Sequence, residues 1–181
     1  MARTHDELDA ALTEWIERQH VFFVASAPTG PDGHVNLSPK GYDTFRILGP
    51  TQVAYLDLTG SGVETIAHLR ENARLTIMFC AFEGKPRILR LFGRGEAVLV
   101  GDDGYDDLAS RFPAVPGARS VVRLDIERIQ TSCGYAVPYM AFERERETLE
   151  EWAVRKGDDG IAEYHADKNA TSIDGLPGVV R

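Results

Sequence analysis

Cysteine is scarce in this sequence, with only Cys80 and Cys133 among 181 residues. The two do not form a CxxC pair, and the five histidines are scattered along the chain. The sequence therefore predicts neither a disulfide framework nor a metal site, and a reducing cytoplasm is the expected location. The sequence leaves open whether a single histidine is a haem ligand.

Positive charge and long apolar runs are also lacking. The formal net charge is −8 and the sequence pI is about 5.1, so there is no general attraction to nucleic acid or to an anionic membrane surface. No stretch approaches the roughly 20 apolar residues of a membrane helix, and the N-terminal segment alternates charged and apolar residues, unlike a signal peptide. We expect a soluble protein without nucleic-acid or membrane partners, in which any anionic ligand is held by a local site.

The sequence does contain a series of short apolar runs that are typical of strands. With 43% hydrophobic residues, 181 residues suffice for one domain with a core but not for two. Runs separated by glycine and proline predict strands at 20–27, 34–37, 44–48, 52–58, 74–82, 87–100 and 120–130. Gly93 and Gly95, inside one run, indicate a bulge or a tight barrel corner. The pattern predicts a mainly β fold with flanking helices, of the α+β class, in which the strands form a barrel.

Helical periodicity is limited to four segments. Thr4, followed by acidic residues, predicts the start of an N-terminal helix that runs to about Ile16. Further helices are predicted at 63–72, 102–112 and 144–157, and residues 168–181 are predicted to be irregular. We divide the chain into a barrel domain over 1–131, with the N-terminal helix, and a helical and irregular extension over 132–181 packed on the same domain.

The segment NLSPKG, residues 36–41, is the first candidate site. It ends a predicted strand and is expected to turn at Pro39, which would expose the Ser38 hydroxyl and the Lys40 ammonium near one spot. Such a strand end suits a planar ring with a polar edge. An ordinary surface turn is the alternative.

The segment DLTGSGVET, residues 57–65, is the second candidate. Thr59, Gly60, Ser61 and Gly62 lie between a strand and a helix, where unpaired backbone N–H groups and the helix dipole favour an anion such as a phosphate. Glu64 opposes such an anion. Because Ser61 and Glu64 have capping-box spacing, a capped helix without a ligand is the alternative.

Three arginines on one predicted strand, Arg87, Arg90 and Arg94, are the third candidate. Alternation places Arg90 and Arg94 on one face and Arg87 on the other. They would contact an anionic ligand or a partner subunit, or else remain solvated at the surface. Cys133, beside Gly134 and Tyr135, has no sequence neighbour that would activate it as a nucleophile, so we expect it to have a packing role.

Together, NLSPKG, YLDLTGSGVETIAHLRENARLTIMF and RILRLFGRG resemble the flavin-binding core of the pyridoxamine 5'-phosphate oxidase superfamily, over about residues 21–130. The resemblance implies a six-stranded split β-barrel that forms a homodimer, with two flavin mononucleotides (FMN) in clefts between the subunits. The extension resembles that of a less characterised subgroup of predicted flavin-binding proteins.

The resemblance also implies roles for individual residues. The isoalloxazine ring would be bordered by Asn36, Leu37, Ser38, Pro39 and Lys40. Leu58 and Thr59 would flank the ring and the ribityl chain, and the phosphate would meet the helix start at Ser61, Gly62 and Thr65. Arg87 and Arg90 are the candidate arginines for the same cofactor.

The sequence departs from the oxidases at three places. An adjacent arginine–lysine pair of the oxidases aligns with Glu64 and Thr65, an arginine of the first flavin segment aligns with Val35, and a C-terminal arginine motif has no counterpart. We therefore expect an FMN-dependent oxidoreductase with a different small-molecule substrate. The alternative is a non-catalytic module that binds or carries flavin, deazaflavin or haem.

Overall fold

The computed structural model describes residues 2–179, which contain eight strands and four helices. The strands are β1 (Arg3–His5), β2 (Phe22–Ser26), β3 (Asn36–Lys40), β4 (Phe45–Gly49), β5 (Gln52–Leu58), β6 (Arg74–Cys80), β7 (Ile88–Leu99) and β8 (Ala118–Ser132). The helices are α1 (Ala10–Glu17), α2 (Glu64–Asn72), α3 (Tyr105–Ala109) and α4 (Thr148–Lys168). The predicted fold class, mainly β with flanking helices, is confirmed, although the described strands exceed the six that the resemblance implies.

All strands belong to one antiparallel sheet. The order is β3-β2-β6-β7-β8-β5-β4, and β1 pairs with β8. The register of β7 and β8 shifts between Phe92 and Gly93, where a Cβ atom on Gly93 would lie 2.0 Å from the Asp125 carbonyl oxygen. The bulge predicted from this glycine is confirmed, because only a residue without a side chain allows that approach.

The main core lies inside the curved sheet and is closed by α1. Alternate residues of the strands point inward, and they pack on Leu12, Trp15 and Ile16 of the helix. The predicted helix start at Thr4 is wrong, because residues 3–5 pair with β8 instead. Asp9 caps α1 and accepts a hydrogen bond from the Leu12 amide at 2.8 Å.

The chain after β8 forms three parts: an extended arm over 133–147, α4, and a tail over 169–179. The predicted helix at 144–157 starts later, at Thr148, and continues to Lys168 beyond a break at Gly157, whose φ is +64°. The tail is irregular, as predicted, apart from a single bridge between Thr171 and Pro177; positions 180 and 181 of that prediction lie outside the described residues. Within residues 2–179, no helix combines the length and the apolar character needed to cross a membrane.

Candidate functional site

A buried carboxylate, Asp57 near the end of β5, joins two cations from different strands. Its Oδ1 atom accepts a hydrogen bond from Lys40 Nζ at 2.7 Å, and its Oδ2 atom accepts one from Arg119 Nε at 2.7 Å. Burial by itself raises the pKa of Asp57, but the two cations outweigh burial and hold the pKa at about 2. Asp57 is therefore ionised at neutral pH and ties β3 to β8.

A β-bulge explains why Arg119 points to this carboxylate. Along the β5–β8 ladder Asp57 faces Ser120 and Leu58 faces Ala118, so Arg119 is the extra residue between them. A bulge redirects the side chain of its extra residue. Arg119 is only 7% exposed, and its guanidinium lies among buried polar groups rather than in solvent.

The turn between β5 and α2, residues 59–63, is held through its carbonyl groups. Arg119 Nη2 donates to the Gly62 oxygen at 2.8 Å, and Nη1 lies 3.5 Å from the Gly60 oxygen. Asn169 of the tail donates from Nδ2 to the same Gly60 oxygen at 2.9 Å, while its Oδ1 accepts from Arg119 Nη1 at 2.9 Å. The β5–α2 turn is thus clamped by β8 and by the C-terminal tail.

The residues at the entry to this turn face the protein interior. Both the amide and the hydroxyl of Thr59 donate to the Gly117 oxygen, at 2.8 and 2.7 Å, and the hydroxyl lies 2.8 Å from His165 Nε2. Leu58 packs against the cluster around Leu56 and Val121, on the side of α3. These two predicted ring neighbours are therefore held in protein packing and hydrogen bonding.

The start of α2 carries no side-chain cap. Val63 occupies the N-cap position, and no side chain within residues 2–179 caps it, so the alternative of a capping box between Ser61 and Glu64 is wrong. Ser61 and Gly62 are exposed, and their amides donate to no acceptor among residues 2–179. The helix start thus presents unpaired N–H groups to solvent.

Glu64 turns to the tail instead. Its Oε1 atom accepts a hydrogen bond from the Ile173 amide at 3.3 Å. Its Oε2 atom would lie 2.4 Å from a Cβ atom on Gly62, so the carboxylate is close to the exposed turn. A negative charge therefore stands at one side of the unpaired amides.

The edge strand β3 brings the predicted polar residues together. Asn36 Nδ2 donates to Thr65 Oγ1 of α2 at 3.0 Å, and Ser38 Oγ donates to Asn36 Oδ1 at 3.1 Å. With Lys40 they form one half-buried row, whereas Leu37 and Pro39 lie exposed on the opposite face. The predicted turn at Pro39 is wrong, because Pro39 continues the strand opposite Phe23; an edge strand tolerates the missing N–H group.

Two buried side chains near this row were missed by the sequence analysis. The Tyr55 hydroxyl is fully buried, and burial followed by the charge of Asp57 raises its pKa. His68 of α2 pairs through Nδ1 with Ser26 Oγ at 2.9 Å, and burial lowers its pKa. Alternation along β5 places Tyr55 on the same inner face as Asp57, and this pattern could have identified Tyr55 from the sequence.

The two predicted arginines, Arg87 just before β7 and Arg90 within it, lie away from this row. Arg87 places its guanidinium carbon 5.4 Å from the centre of the Trp15 ring, and Arg90 donates to Ser132 Oγ at 3.3 Å. Arg90 faces Met78 of β6, and the two strands β6 and β2 separate it from Pro39 of β3. At about 4.8 Å per strand this is roughly 14 Å, so neither arginine joins the Asp57 network within one chain.

A groove of about 1590 Å³ lies between α1, the end of β3 and the arm. Its walls include Lys40, Arg87 and Trp15, and Phe142 of the arm stacks on His20 with ring centres 3.7 Å apart. The Tyr42 hydroxyl donates to the Arg146 carbonyl and so holds the far end of the arm. The groove therefore adjoins the Lys40 end of the polar row.

The outer face of the sheet carries a partly apolar row. Registers across β3, β2, β6 and β7 align Leu37, Ala25, Thr76 and Phe92 in one row. Leu37 is 62% exposed, and the other three are half-buried.

Comparison with known proteins supports one family. The model of the pyridoxamine 5'-phosphate oxidase family matches residues 8–133. A pyridoxamine 5'-phosphate oxidase family protein of Aspergillus flavus, ustO, is 41% identical over 194 residues, covering 97% of this chain and 77% of the relative.

Solved structures show the same fold at low sequence identity. HupZ of Group A Streptococcus has a TM-score of 0.51 at 21% identity, and the match covers 67% of this chain and 90% of that chain. A putative pyridoxamine 5'-phosphate oxidase of Lactobacillus delbrueckii has a TM-score of 0.53 at 17% identity, covering 70% of this chain and 98% of that chain. An FMN-binding protein of Nostoc punctiforme related to these oxidases has a TM-score of 0.50 at 13% identity, covering 68% of this chain and 82% of that chain. With the family match over most of its length and a relative that aligns almost end to end, the chain belongs to the pyridoxamine 5'-phosphate oxidase family.

Proposed function

We propose that this protein binds FMN between β3 and the start of α2, as a homodimer, and that it is an oxidoreductase for a small substrate. The observation that carries the proposal is the β5–α2 turn, whose Ser61 and Gly62 amides are exposed and without acceptors among the described residues. The FMN-binding relative from Nostoc punctiforme adds support through its fold.

The phosphate end fits an anion through backbone rather than through side-chain cations. The amides at the helix start and the helix dipole favour a dianion there. Glu64 opposes this anion, and its carboxylate is already hydrogen-bonded to the tail. We assign the phosphate to the amides of Ser61 and Gly62, with Thr65 at the side facing β3.

The ring end fits the polar row of β3. Asn36 and Ser38 are linked to each other and to Thr65, which fixes their side chains. The side chain of Lys40 is 21% exposed, and its charged partner is Asp57. An ammonium in that position suits the electron-rich edge of a flavin ring.

The partly apolar Leu37 row on the outer face of the sheet is the proposed dimer contact. A second copy would bury the Leu37 row and bring Arg87 and Arg90 within reach of the partner's site rather than their own. An interface of this kind buries about 1,600 Å² in total. Sedimentation velocity of the purified protein tests this proposal, and a monomer at micromolar concentration would contradict it.

Bound FMN would supply hydride and electron transfer, and the chain would supply position, charge and a shielded cleft. The groove beside Lys40 and Trp15 is the proposed place for the substrate. Cys80 and Cys133 are both free thiols, which agrees with the cytoplasmic location that we propose.

A matched pair of variants tests the binding proposal. Protein freed of bound small molecules is titrated with FMN, and binding is followed by flavin fluorescence. Ser61→Glu should weaken binding on the order of tenfold or more, because it sets a carboxylate against the phosphate. Ser61→Ala keeps the backbone amide and should stay within about threefold of the wild type.

The competing function, a module that carries a ligand without turnover, is favoured by one observation. Asp57, Lys40 and Arg119 are paired with one another, so these charges are not free for acid–base chemistry. Reduction of the bound flavin by a nicotinamide nucleotide, followed by reoxidation with an acceptor, would support the enzyme. A wild-type protein that takes up no FMN, and instead binds haem or a deazaflavin, would overturn the FMN proposal.

A further inference from the structure

Among residues 2–179, one cation is hydrogen-bonded to the β5–α2 turn, and it lies behind the turn. Residues 59–65 contain no lysine or arginine, and the first turn of α2 holds Glu64 instead. Behind the turn lies Arg119, 7% exposed and in hydrogen-bond contact with the Gly62 carbonyl. The only positive group in direct contact with the turn among the described residues therefore reaches it through the backbone carbonyls.

Peptide geometry transmits this contact to the exposed side. The Gly60 carbonyl shares its peptide plane with the Ser61 N–H group, and the Gly62 carbonyl shares its plane with the N–H group of Val63. In a trans peptide the C=O and N–H bonds point in opposite directions. Carbonyls that are held toward Arg119 and Asn169 therefore direct these N–H groups away from the interior. A cation on the carbonyl also polarises the peptide and strengthens its N–H donor.

Asn169 connects the C-terminal tail to Arg119 and to the turn. Its side chain is fully buried, accepts from Arg119 and donates to the Gly60 oxygen, so it bridges the cation and the turn. The tail is kept in place by other contacts: Asp174 accepts from His34, and Arg70 donates to the Gly178 carbonyl. The C-terminal tail is thus part of the support of the turn.

We infer that Arg119 is a positioning residue for the cofactor phosphate, acting from behind the turn with Asn169 as its clamp. The inference rests on the proposed FMN site. Arg119 lies on the carbonyl side of the turn. Through the Gly60 carbonyl, which it shares with Asn169, it orients and polarises the Ser61 amide that holds the phosphate, while Asn169 also reaches the Ser61 carbonyl and so the peptide group of the Gly62 amide. The charge of Asp57 is shared between Arg119 and Lys40, which leaves one net positive charge in this network behind the turn.

The experiment compares FMN with riboflavin, which lacks the phosphate. Dissociation constants for both are measured on the full-length wild type and on Arg119→Lys and Asn169→Asp, with thermal melting as the control for folding. Lysine keeps the charge but lacks the planar fork that reaches two carbonyls and a carboxylate together. Aspartate keeps the acceptor for Arg119 but loses the donor to Gly60. Arg123→Lys is the matched control, since Arg123 lies on the same strand and pairs with the exposed Glu96.

Both variants should raise the FMN dissociation constant on the order of tenfold and the riboflavin dissociation constant by less than about twofold. Arg123→Lys should change neither dissociation constant. An equal loss of affinity for the two flavins would mean that Arg119 only supports the fold. Unchanged dissociation constants for both flavins would mean that it does not act on the phosphate. Either result overturns the inference. A variant that unfolds is replaced by the other, which tests the same clamp. If the wild type binds FMN and riboflavin equally, the phosphate assignment fails and the inference fails with it. If it binds neither flavin, the proposed function itself fails, so the two failures are distinguishable.

Discussion

The two sides of the proposed site are built in different ways. The β5–α2 turn is backed by a buried network in which Asp57, Arg119 and Asn169 are each less than a tenth exposed. The β3 strand is the edge of the sheet. Lys40 at its end pairs with Asp57, but Asn36 and Ser38 are held by two hydrogen bonds between neutral groups. Buried charged networks are costly to disturb, whereas neutral bonds at a half-exposed edge contribute little. The turn should therefore behave as part of the fold, and β3 as an adjustable surface.

The largest effect is expected from Asp57→Ala. The substitution leaves Lys40 and Arg119 facing each other without their common partner, and loss of one member of a buried ion pair costs about 3–5 kcal/mol. Urea denaturation measures the change in the free energy of unfolding. Glu96→Ala, which breaks the exposed pair with Arg123, should cost less than about 1 kcal/mol. Equal small losses in the two variants would remove the contrast between the turn and the surface.

The same carboxylate predicts a pH dependence. The folded pKa of Asp57, about 2, lies below its ordinary value of 3.8, so its contribution to stability is present above about pH 4 and is lost as the pH falls toward 2. The wild type should therefore lose stability relative to Asp57→Ala over that interval. Parallel denaturation midpoints of the two proteins from about pH 5 to about pH 2.5 would contradict this assignment.

These contrasts show what the sequence could predict. Alternating apolar residues identify strands such as β5 because one face is buried along the whole strand. Pairing that joins distant residues is not visible in a local pattern: Arg119 meets Asp57 across 62 positions and Asn169 across 50. Local capping signals also failed for this reason. Thr4 is drawn into pairing with β8, and Glu64 finds the Ile173 amide of the tail instead of forming a box with Ser61.

The predicted site residues also divide into those that the fold brings together and those that it keeps apart. Asn36, Ser38, Lys40 and Thr65 come together, since β3 and α2 are neighbours. Arg87, just before β7, and Arg90, within it, lie away from them. Asp57 was a usable signal, because a lone carboxylate in the apolar strand QVAYLDL indicates a buried partner. The bulge that supplies this partner depends on tertiary packing, and the spacing of residues in β8 did not indicate it.

A smaller effect, and one of opposite sign, is expected from Glu64→Gln. Removal of the negative charge beside Gly62 should strengthen FMN binding on the order of threefold to tenfold, while the amide side chain can still accept from Ile173. Riboflavin affinity should not change. Glu71→Gln, at the other end of α2, is the matched control and should leave both constants unchanged. Unchanged FMN affinity in the Glu64 variant would place the phosphate away from the helix start.

The smallest effect is expected from Ser38→Ala on the edge strand. The hydroxyl gives one hydrogen bond, to Asn36 Oδ1, so its loss should lower the free energy of unfolding by about 1 kcal/mol or less. Because Ser38 is assigned to the ring side, the dissociation constants of FMN and of riboflavin should rise together, by about twofold to fivefold. This outcome differs from that expected for Arg119→Lys, in which only the affinity for FMN falls. If Ser38→Ala instead lowers FMN affinity alone, the phosphate lies along β3, and the assignment of the two ends must be reversed.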